Sequence, residues 1–148
     1  MLRRLSVCSA LIVALCVSFV GAADEKEFKA ICPVSGKAAL KDKSVDYKGG
    51  KVYFCCGGCP DAFKADTAKF AAKANQQLYA TGQAKLEKCP LSGGKLNTET
   101  KIDVAGTPVC FCCNNCKGKV EKASGDEQLN LVFSDKAFEK GFKVAEKK

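Results

Sequence analysis

The sequence of 148 residues contains no histidine and no tryptophan, and its two arginines, Arg3 and Arg4, lie near the amino end. Without histidine there is no Cys–His nucleophilic pair, no histidine general base and no mixed Cys/His metal site. Beyond Arg4 there is also no arginine for bidentate contacts to bases or phosphates. These absences argue against an enzyme and against a nucleic-acid partner, and they require that any metal be held mainly by sulfur.

Residues 1–22 have the pattern of a secretory signal peptide. A short basic head precedes a nearly unbroken apolar run from Leu11 to Val20, and small residues follow it. The run is too short and wrongly flanked for a lasting membrane span. Cleavage is expected after Ala22, with Ala23 as the alternative. The pattern predicts an exported protein, periplasmic or extracellular, with no stable membrane span once the signal is removed.

The chain is basic, with a formal net charge of +8 at pH 7. Beyond the signal its positive charge is entirely lysine, and no basic stripe alternates with aromatic residues in the manner of a nucleic-acid surface. The composition therefore predicts a lysine-rich, solvated surface.

The chain contains eleven cysteines, and nine of them follow the predicted signal peptide. Eight of the nine form two sets with the same spacing, C-x22-C-C-x2-C, offset by 57 residues. The first set is Cys32, Cys55, Cys56 and Cys59, and the second is Cys89, Cys112, Cys113 and Cys116. Thiols kept to one spacing in two segments are typical of metal ligands or disulfide partners.

The residues around the two sets repeat as well. Each set begins in a Cys-Pro-x-Ser-Gly turn, continues through a β-hairpin, and has its cysteine cluster where the second strand ends. A helix is expected after each cluster, and Pro60 suits a first helical turn. The sequence therefore predicts an α+β duplication, with units at 23–80 and 81–148 that pack together.

Further elements are predicted from local patterns. The first hairpin is expected to turn at Gly49-Gly50, and Asp66 is a candidate cap within a helical region that weakens near Asn75. A strand pair is predicted around Gly82, over residues 78–86. A strand over 128–133 and a last helix from Ser134 to Phe142 are expected to follow.

The number of sulfurs per site decides its chemistry. Four would form a closed tetrahedral zinc site, whereas three would suit a trigonal soft ion or leave a position open for transfer. The difference depends on Cys56 and Cys113, since neighbours in a straight strand point to opposite faces but a turn can bring both to one ion. The amino end of the following helix is expected to lower the pKa of Cys59.

Two other interpretations remain open. Exported cysteines often oxidise, and two bridges per unit, for instance one between Cys32 and a cysteine of its cluster, would each stabilise the fold by about 2–4 kcal/mol. Such a scheme would leave strained or vicinal pairs and one unpaired thiol. The C-x-x-C segments at Cys56–Cys59 and Cys113–Cys116, each at an expected helix start, also resemble those of redox enzymes, but no βαβ unit accompanies them here. Metal binding is the preferred interpretation, with a disulfide-stabilised interaction module as the alternative.

Several other residues are expected to be structural. Cys110, which aligns with Tyr53, is expected to be a small buried hydrophobe. Ser35 and Ser92 are expected to hydrogen-bond the turn backbone and not a metal. Asp46 and Asp103 are expected to be turn formers, and most phenylalanines are expected to lie in the core: Phe28, Phe54, Phe63, Phe70, Phe111, Phe133, Phe138 and Phe142.

The C-x22-C-x3-C pattern, the Val52-Tyr53-Phe54-Cys55 run and Phe63 resemble the TRASH domain and the related YHS domain. The resemblance covers both units and implies small treble-clef-like folds, each a β-hairpin plus a helix, associated with heavy-metal trafficking, resistance and sensing. It implies one ion per unit, zinc or copper, with a protein metal donor or acceptor as partner. The implied ligands are Cys32, Cys55, Cys59, Cys89, Cys112 and Cys116, with Cys56 and Cys113 as additional candidates. Many relatives have a second cysteine in the turn where this chain has Ser35 and Ser92.

Overall fold

The computed structural model describes residues 28–145, so the predicted signal peptide lies outside the described residues. The predicted α+β class is confirmed. The strands are β1 (Leu40–Tyr47), β2 (Gly50–Phe54), β3 (Ala84–Leu86), β4 (Asn97–Val104), β5 (Thr107–Phe111) and β6 (Phe142–Val144). The helices are α1 (Cys59–Ala65), α2 (Thr67–Ala80), α3 (Asn114–Lys122), α4 (Gly125–Phe133) and α5 (Asp135–Gly141). Between residues 28 and 145, no helix combines the length and apolar character needed to cross a membrane.

The strands pair in three antiparallel two-stranded sheets, β1–β2, β4–β5 and β3–β6. The first two are hairpins that turn at Lys48-Gly49 and Ala105-Gly106, where all four residues have φ between 48° and 81°. That backbone matches the twist of the flanking strands. The first turn therefore comes one residue earlier than predicted. Gly50 instead begins β2, where an added Cβ would lie 2.7 Å from Leu78 Cδ2, so its small size serves close packing.

Helix α2 is longer than predicted and central to the fold. It begins as expected, with the Asp66 carboxylate accepting a hydrogen bond from the Lys69 amide at 3.1 Å. It then continues past Asn75 to Ala80, because small and apolar residues keep helical spacing along its buried face. These buried residues include Ala71, Ala74 and Leu78.

The strand pair predicted over 78–86 is wrong, since residues 78–80 belong to α2 and only the last three residues are extended. That short strand, β3, finds its partner at the far end of the described chain. Ala84 pairs with Val144, and Leu86 pairs with Phe142. A pairing between segments this distant leaves no local signature in the sequence.

The strand predicted over 128–133 is also wrong, because these residues are the second half of α4. Leu129, Val132 and Phe133 are buried, and their spacing of three and four is that of a helix face. The last predicted helix is confirmed as α5, with Ser134 in the position before its first residue.

The buried side chains form one hydrophobic cluster that takes residues from both predicted units. Helix α2 packs against β2, β3, α4 and α5. Most of the phenylalanines are buried, as predicted, whereas Phe28 and Phe70 are only partly buried. Phe54 and Phe111 are fully buried at the ends of β2 and β5, so they fix the points from which the two cysteine clusters emerge.

Candidate metal centres

Each group of cysteines begins in a turn with a defined backbone. The Cys32 amide donates to the Lys37 carbonyl at 2.7 Å, and the Gly36 amide donates to the Cys32 carbonyl at 2.9 Å. Gly36 has a φ of 72°, which glycine adopts without strain. The second turn has the corresponding bonds, at 2.9 and 2.7 Å, among Cys89, Gly94 and Gly93. Both turn cysteines are fully buried, so each turn aims one thiol inward.

In each half, the turn cysteine meets two cysteines from the junction between hairpin and helix. The three Sγ atoms of each group lie within 4.8 Å of one another. We call the groups the first triad (Cys32, Cys55 and Cys59) and the second triad (Cys89, Cys112 and Cys116). The structure thus brings together all six positions named as ligands, and their role as ligands stays a prediction.

The sulfur separations fit a shared ion. Cys55 Sγ and Cys59 Sγ are 3.7 Å apart, and Cys112 Sγ and Cys116 Sγ are also 3.7 Å apart. A disulfide would require about 2.05 Å. Four sulfurs at about 2.3 Å from a zinc ion form a tetrahedron with edges of about 3.8 Å. In each triad one sulfur pair therefore has the length of an edge of such a tetrahedron, and the third sulfur lies within 4.8 Å of both.

The turn serines contact both backbone and sulfur. Ser35 Oγ accepts a hydrogen bond from the Lys37 amide at 3.3 Å, and Ser92 Oγ accepts one from the Gly94 amide at 3.2 Å, so the predicted backbone role is confirmed. Ser35 Oγ also lies 3.0 Å from Cys55 Sγ. Ser92 Oγ likewise lies 3.1 Å from Cys112 Sγ of the second triad. These thiol contacts were not predicted, although the serine recurs at the same place in both turns.

Hydrogen bonds favour the thiolate form of the two turn cysteines. Burial opposes ionisation of Cys32, but the Ser35 hydroxyl and nearby backbone groups outweigh it and lower the pKa to about 7. The pKa of Cys89 is likewise lowered to about 7, against burial, by Ser92 and the backbone around it. Each triad therefore has one thiol that loses its proton readily, as metal binding requires.

The cysteines at the helices behave in the opposite way. Hydrogen bonding with Cys56, followed by burial, raises the pKa of Cys59. Burial, followed by hydrogen bonding with Cys112, raises the pKa of Cys116 to about 12. The pKa of Cys59 is therefore raised and not lowered as expected, because hydrogen bonding with neighbouring sulfurs and burial both favour the protonated thiol. A cation bound among the sulfurs would favour the thiolates.

The two additional cysteines lie beside the triads and not within them. Cys56 and Cys113 are exposed, and neither belongs to a set of three thiols within 4.8 Å of one another. Cys56 Sγ is 3.0 Å from Cys59 Sγ, whereas Cys113 Sγ is 3.6 Å from Cys112 Sγ. The arrangement favours three sulfurs per site, each with one accessible thiol next to it.

Cys110 is not the buried hydrophobe that was predicted. It is half-buried and lines an open, largely apolar cleft together with Phe28, Ile31, Tyr79 and Leu86. It lies outside both triads. This thiol is therefore a natural control position for experiments on the other eight.

The donor chemistry of the sites is uniform. Within residues 28–145, only the two triads bring three or more histidine, cysteine or acidic side chains close enough to share an ion. Every donor atom is a sulfur, and sulfur selects thiophilic ions such as Cu(I) and Zn(II) over hard ions. No protein-family model matches the chain, and no curated protein or solved structure is significantly similar to it.

Proposed function

We propose that this is an exported binding protein for thiophilic heavy-metal ions, which it carries as cargo, one ion per triad. The observation that carries the proposal is that six cysteines from distant stretches meet in two groups of three. Their sulfur separation of 3.7 Å fits a common ion and not a disulfide. Zn(II) and Cu(I) are the ions that this donor set favours.

The two halves are proposed to be duplicated treble-clef-like units related to TRASH and YHS domains. Each has a turn, a hairpin and a helix in the same order, and each turn has the same pair of backbone hydrogen bonds. Residues at the 57-residue offset occupy equivalent places: Cys32 with Cys89, Ser35 with Ser92, and Phe54 with Phe111. These correspondences support the duplication.

A carrier is proposed in preference to an enzyme. A three-sulfur site leaves one tetrahedral position open, through which an ion can enter and leave. Export rests on the signal-like pattern of residues 1–22. The proposed role of the carrier is in metal trafficking, sequestration or resistance. Its proposed partner is a protein that donates or accepts the metal.

The test is metal analysis together with thiol counting on protein exported to an oxidising compartment and purified without added metal or reductant. We expect about two ions per chain. The six triad thiols should resist alkylation until the ion is removed. Cys59→Ser and Cys116→Ser should each remove one ion, and the double variant should remove both.

Cys110→Ser is the matched control and should retain both ions, since that thiol lies outside the triads. Protein that contains no metal and at most one reactive thiol would refute the proposal. That result would establish the disulfide-stabilised interaction module in its place.

A further inference from the structure

Each triad has an exposed thiol in contact with one of its sulfurs. In the first half, Cys56 Sγ lies 3.0 Å from the buried Cys59 Sγ. In the second half, Cys113 Sγ lies 3.6 Å from Cys112 Sγ. The function proposed above assigns these two thiols no role, yet both are close enough to bind the ion held by the neighbouring sulfur.

We propose that Cys56 and Cys113 are transfer thiols, which move the ion between the partly buried triad and an acceptor at the surface. The inference rests on the proposed metal-carrier function and concerns how the cargo enters and leaves. It assigns a kinetic role to these thiols, in contrast to the equilibrium role of the triads.

The geometry around Cys56 supports access from solvent. Cys56, Gly57 and Gly58 are all exposed. A Cβ added at either glycine would meet no atom within 4 Å. A ligand as large as a thiol-bearing side chain therefore has room to approach Cys56. By contrast, Cys59 is only 6% exposed and Cys32 is completely buried, and Cys55 is half-buried, so Cys56 is the most accessible thiol of this cluster.

The transfer step is a ligand exchange without electron transfer. Cys56 releases its proton to water as its sulfur binds the ion, and the bond between the ion and Cys59 breaks. The freed Cys59 sulfur then takes up a proton. The ion is now held by Cys32, Cys55 and the surface thiolate of Cys56. Acceptor thiolates or nitrogen ligands then replace Cys32, Cys55 and finally Cys56, and each displaced sulfur takes up a proton. Cys113 and Cys112 would perform the same step in the second half.

The experiment measures equilibrium affinity and transfer rate on the same full-length variants. Protein loaded with Zn(II) is mixed with the chromogenic chelator pyridylazoresorcinol in a stopped-flow instrument. The affinity is measured separately by competition with the same chelator. Cys56→Ser and Cys113→Ser are each compared with wild type and with Cys110→Ser, and a thermal melt checks that every variant is folded.

In wild type, the two sites should release their ions in two kinetic phases of equal amplitude. Cys56→Ser should slow one phase by about tenfold or more, and Cys113→Ser should slow the other by a similar factor. The dissociation constant of each site should change by less than about threefold. Cys110→Ser should leave both rates and both affinities at their wild-type values.

Other outcomes would overturn the inference in distinguishable ways. Unchanged rates in both serine variants would show that these thiols take no part in transfer. An affinity loss as large as that of Cys59→Ser would make Cys56 a resident fourth ligand. Either result leaves the proposed carrier function intact. Wild-type protein that binds no Zn(II) or other thiophilic ion would instead refute the carrier function itself.

Discussion

The two cysteine clusters share one spacing but place their extra thiol differently. In the first, Gly57 and Gly58 precede the helix, and α1 begins at Cys59. In the second, α3 already begins at Asn114, two residues before Cys116. The extra thiol therefore lies 3.0 Å from Cys59 Sγ in the first cluster and 3.6 Å from Cys112 Sγ in the second, where it also hydrogen-bonds with Cys116.

The two hairpins also differ in what fixes their second strand. In the first, the buried Gln77 side chain comes from α2, accepts from the Tyr53 amide at 2.6 Å and donates to the Tyr53 carbonyl at 2.8 Å. In the second, Thr100 of the same hairpin accepts from the Phe111 amide at 3.1 Å and donates to its carbonyl at 2.6 Å. The end of β2 that leads to Cys55 is therefore held by a side chain of α2, whereas the end of β5 that leads to Cys112 is held from within its own hairpin.

Of the changes that test this difference between the two hairpins, Gln77→Leu is expected to have the largest effect. The change leaves three backbone groups without partners, because Gln77 also donates to the Ile31 carbonyl next to Cys32 at 2.7 Å. We expect a loss of about 2–4 kcal/mol in the free energy of unfolding, with weaker Zn(II) binding at the first triad. Urea unfolding of metal-free protein and chelator competition measure the two effects.

Thr100→Val is the matched change in the second hairpin and should cost about 1–3 kcal/mol, with any loss of affinity confined to the second triad. The denaturant dependence of the unfolding free energy should not change in either variant. Equal affinity losses at both triads in Gln77→Leu would contradict the inference that Gln77 supports the first site alone.

A second, smaller effect is expected from exchanging the residues inside the C-x-x-C segments. In metal-free wild type, mild oxidation should link Cys56 and Cys59 about tenfold faster than it forms any disulfide in the second cluster. The reason is that Cys56 Sγ lies 3.0 Å from Cys59 Sγ, whereas Cys113 Sγ lies 3.6 Å from the adjacent Cys112 Sγ, and adjacent cysteines give a strained disulfide. Peptide mapping at increasing times measures both rates.

The double change Asn114→Gly and Asn115→Gly should move the helix start toward Cys116 and bring the Cys113 sulfur, which already hydrogen-bonds with Cys116, as close to it as Cys56 is to Cys59. The second cluster should then oxidise at nearly the rate of the first. The reverse change, Gly57→Asn with Gly58→Asn, should lower the rate at which the first cluster forms a disulfide. Equal oxidation rates in the two wild-type clusters would show that these intervening residues have no such control.

The same comparison shows which features were readable from the sequence. The cysteine clusters, both hairpins and the Asp66 cap depend on residues close together in the chain, and local spacing predicted them. Helix α4 was mistaken for a strand because its apolar residues fill a short window in which helix and strand patterns cannot be told apart. The β3–β6 pairing joins Ala84 to Val144, and only the packing of the whole fold determines it.

The site was likewise predictable only in part. Spacing identified the six triad cysteines as a set, but not the contact between Ser35 and the Cys55 sulfur. Nor did spacing give the exposure of Cys56, because burial depends on how the hairpin, turn and helix meet. Sequence patterns thus located the sulfurs, whereas their surroundings required the three-dimensional structure.

The third difference between the halves is how each hairpin turn is anchored. The Asp135 carboxylate of α5 accepts from Lys48 Nζ at 2.7 Å in the first turn and from Asn75 Nδ2 of α2 at 2.9 Å. The second turn is held without charge, since Gln76 Nε2 donates to the Ala105 carbonyl at 2.7 Å. Only the first of these two anchors contains titratable groups.

The smallest effect follows from this charge and depends on pH. Burial opposes ionisation of Asp135, but hydrogen bonds from Lys48 and Asn75 outweigh it and lower its pKa. Because the pKa is lowered on folding, the stabilisation is present above the unfolded value of about 3.9 and is lost as pH falls through the folded value. Asp135→Asn should cost about 1 kcal/mol or less at neutral pH, since the carboxylate is half exposed, and should reduce the loss of stability in acid.

Gln76→Ala should leave that acid dependence unchanged. Urea unfolding of metal-free protein at neutral and acidic pH tests both, and an unaltered pH profile in Asp135→Asn would exclude a stabilising charge at this anchor.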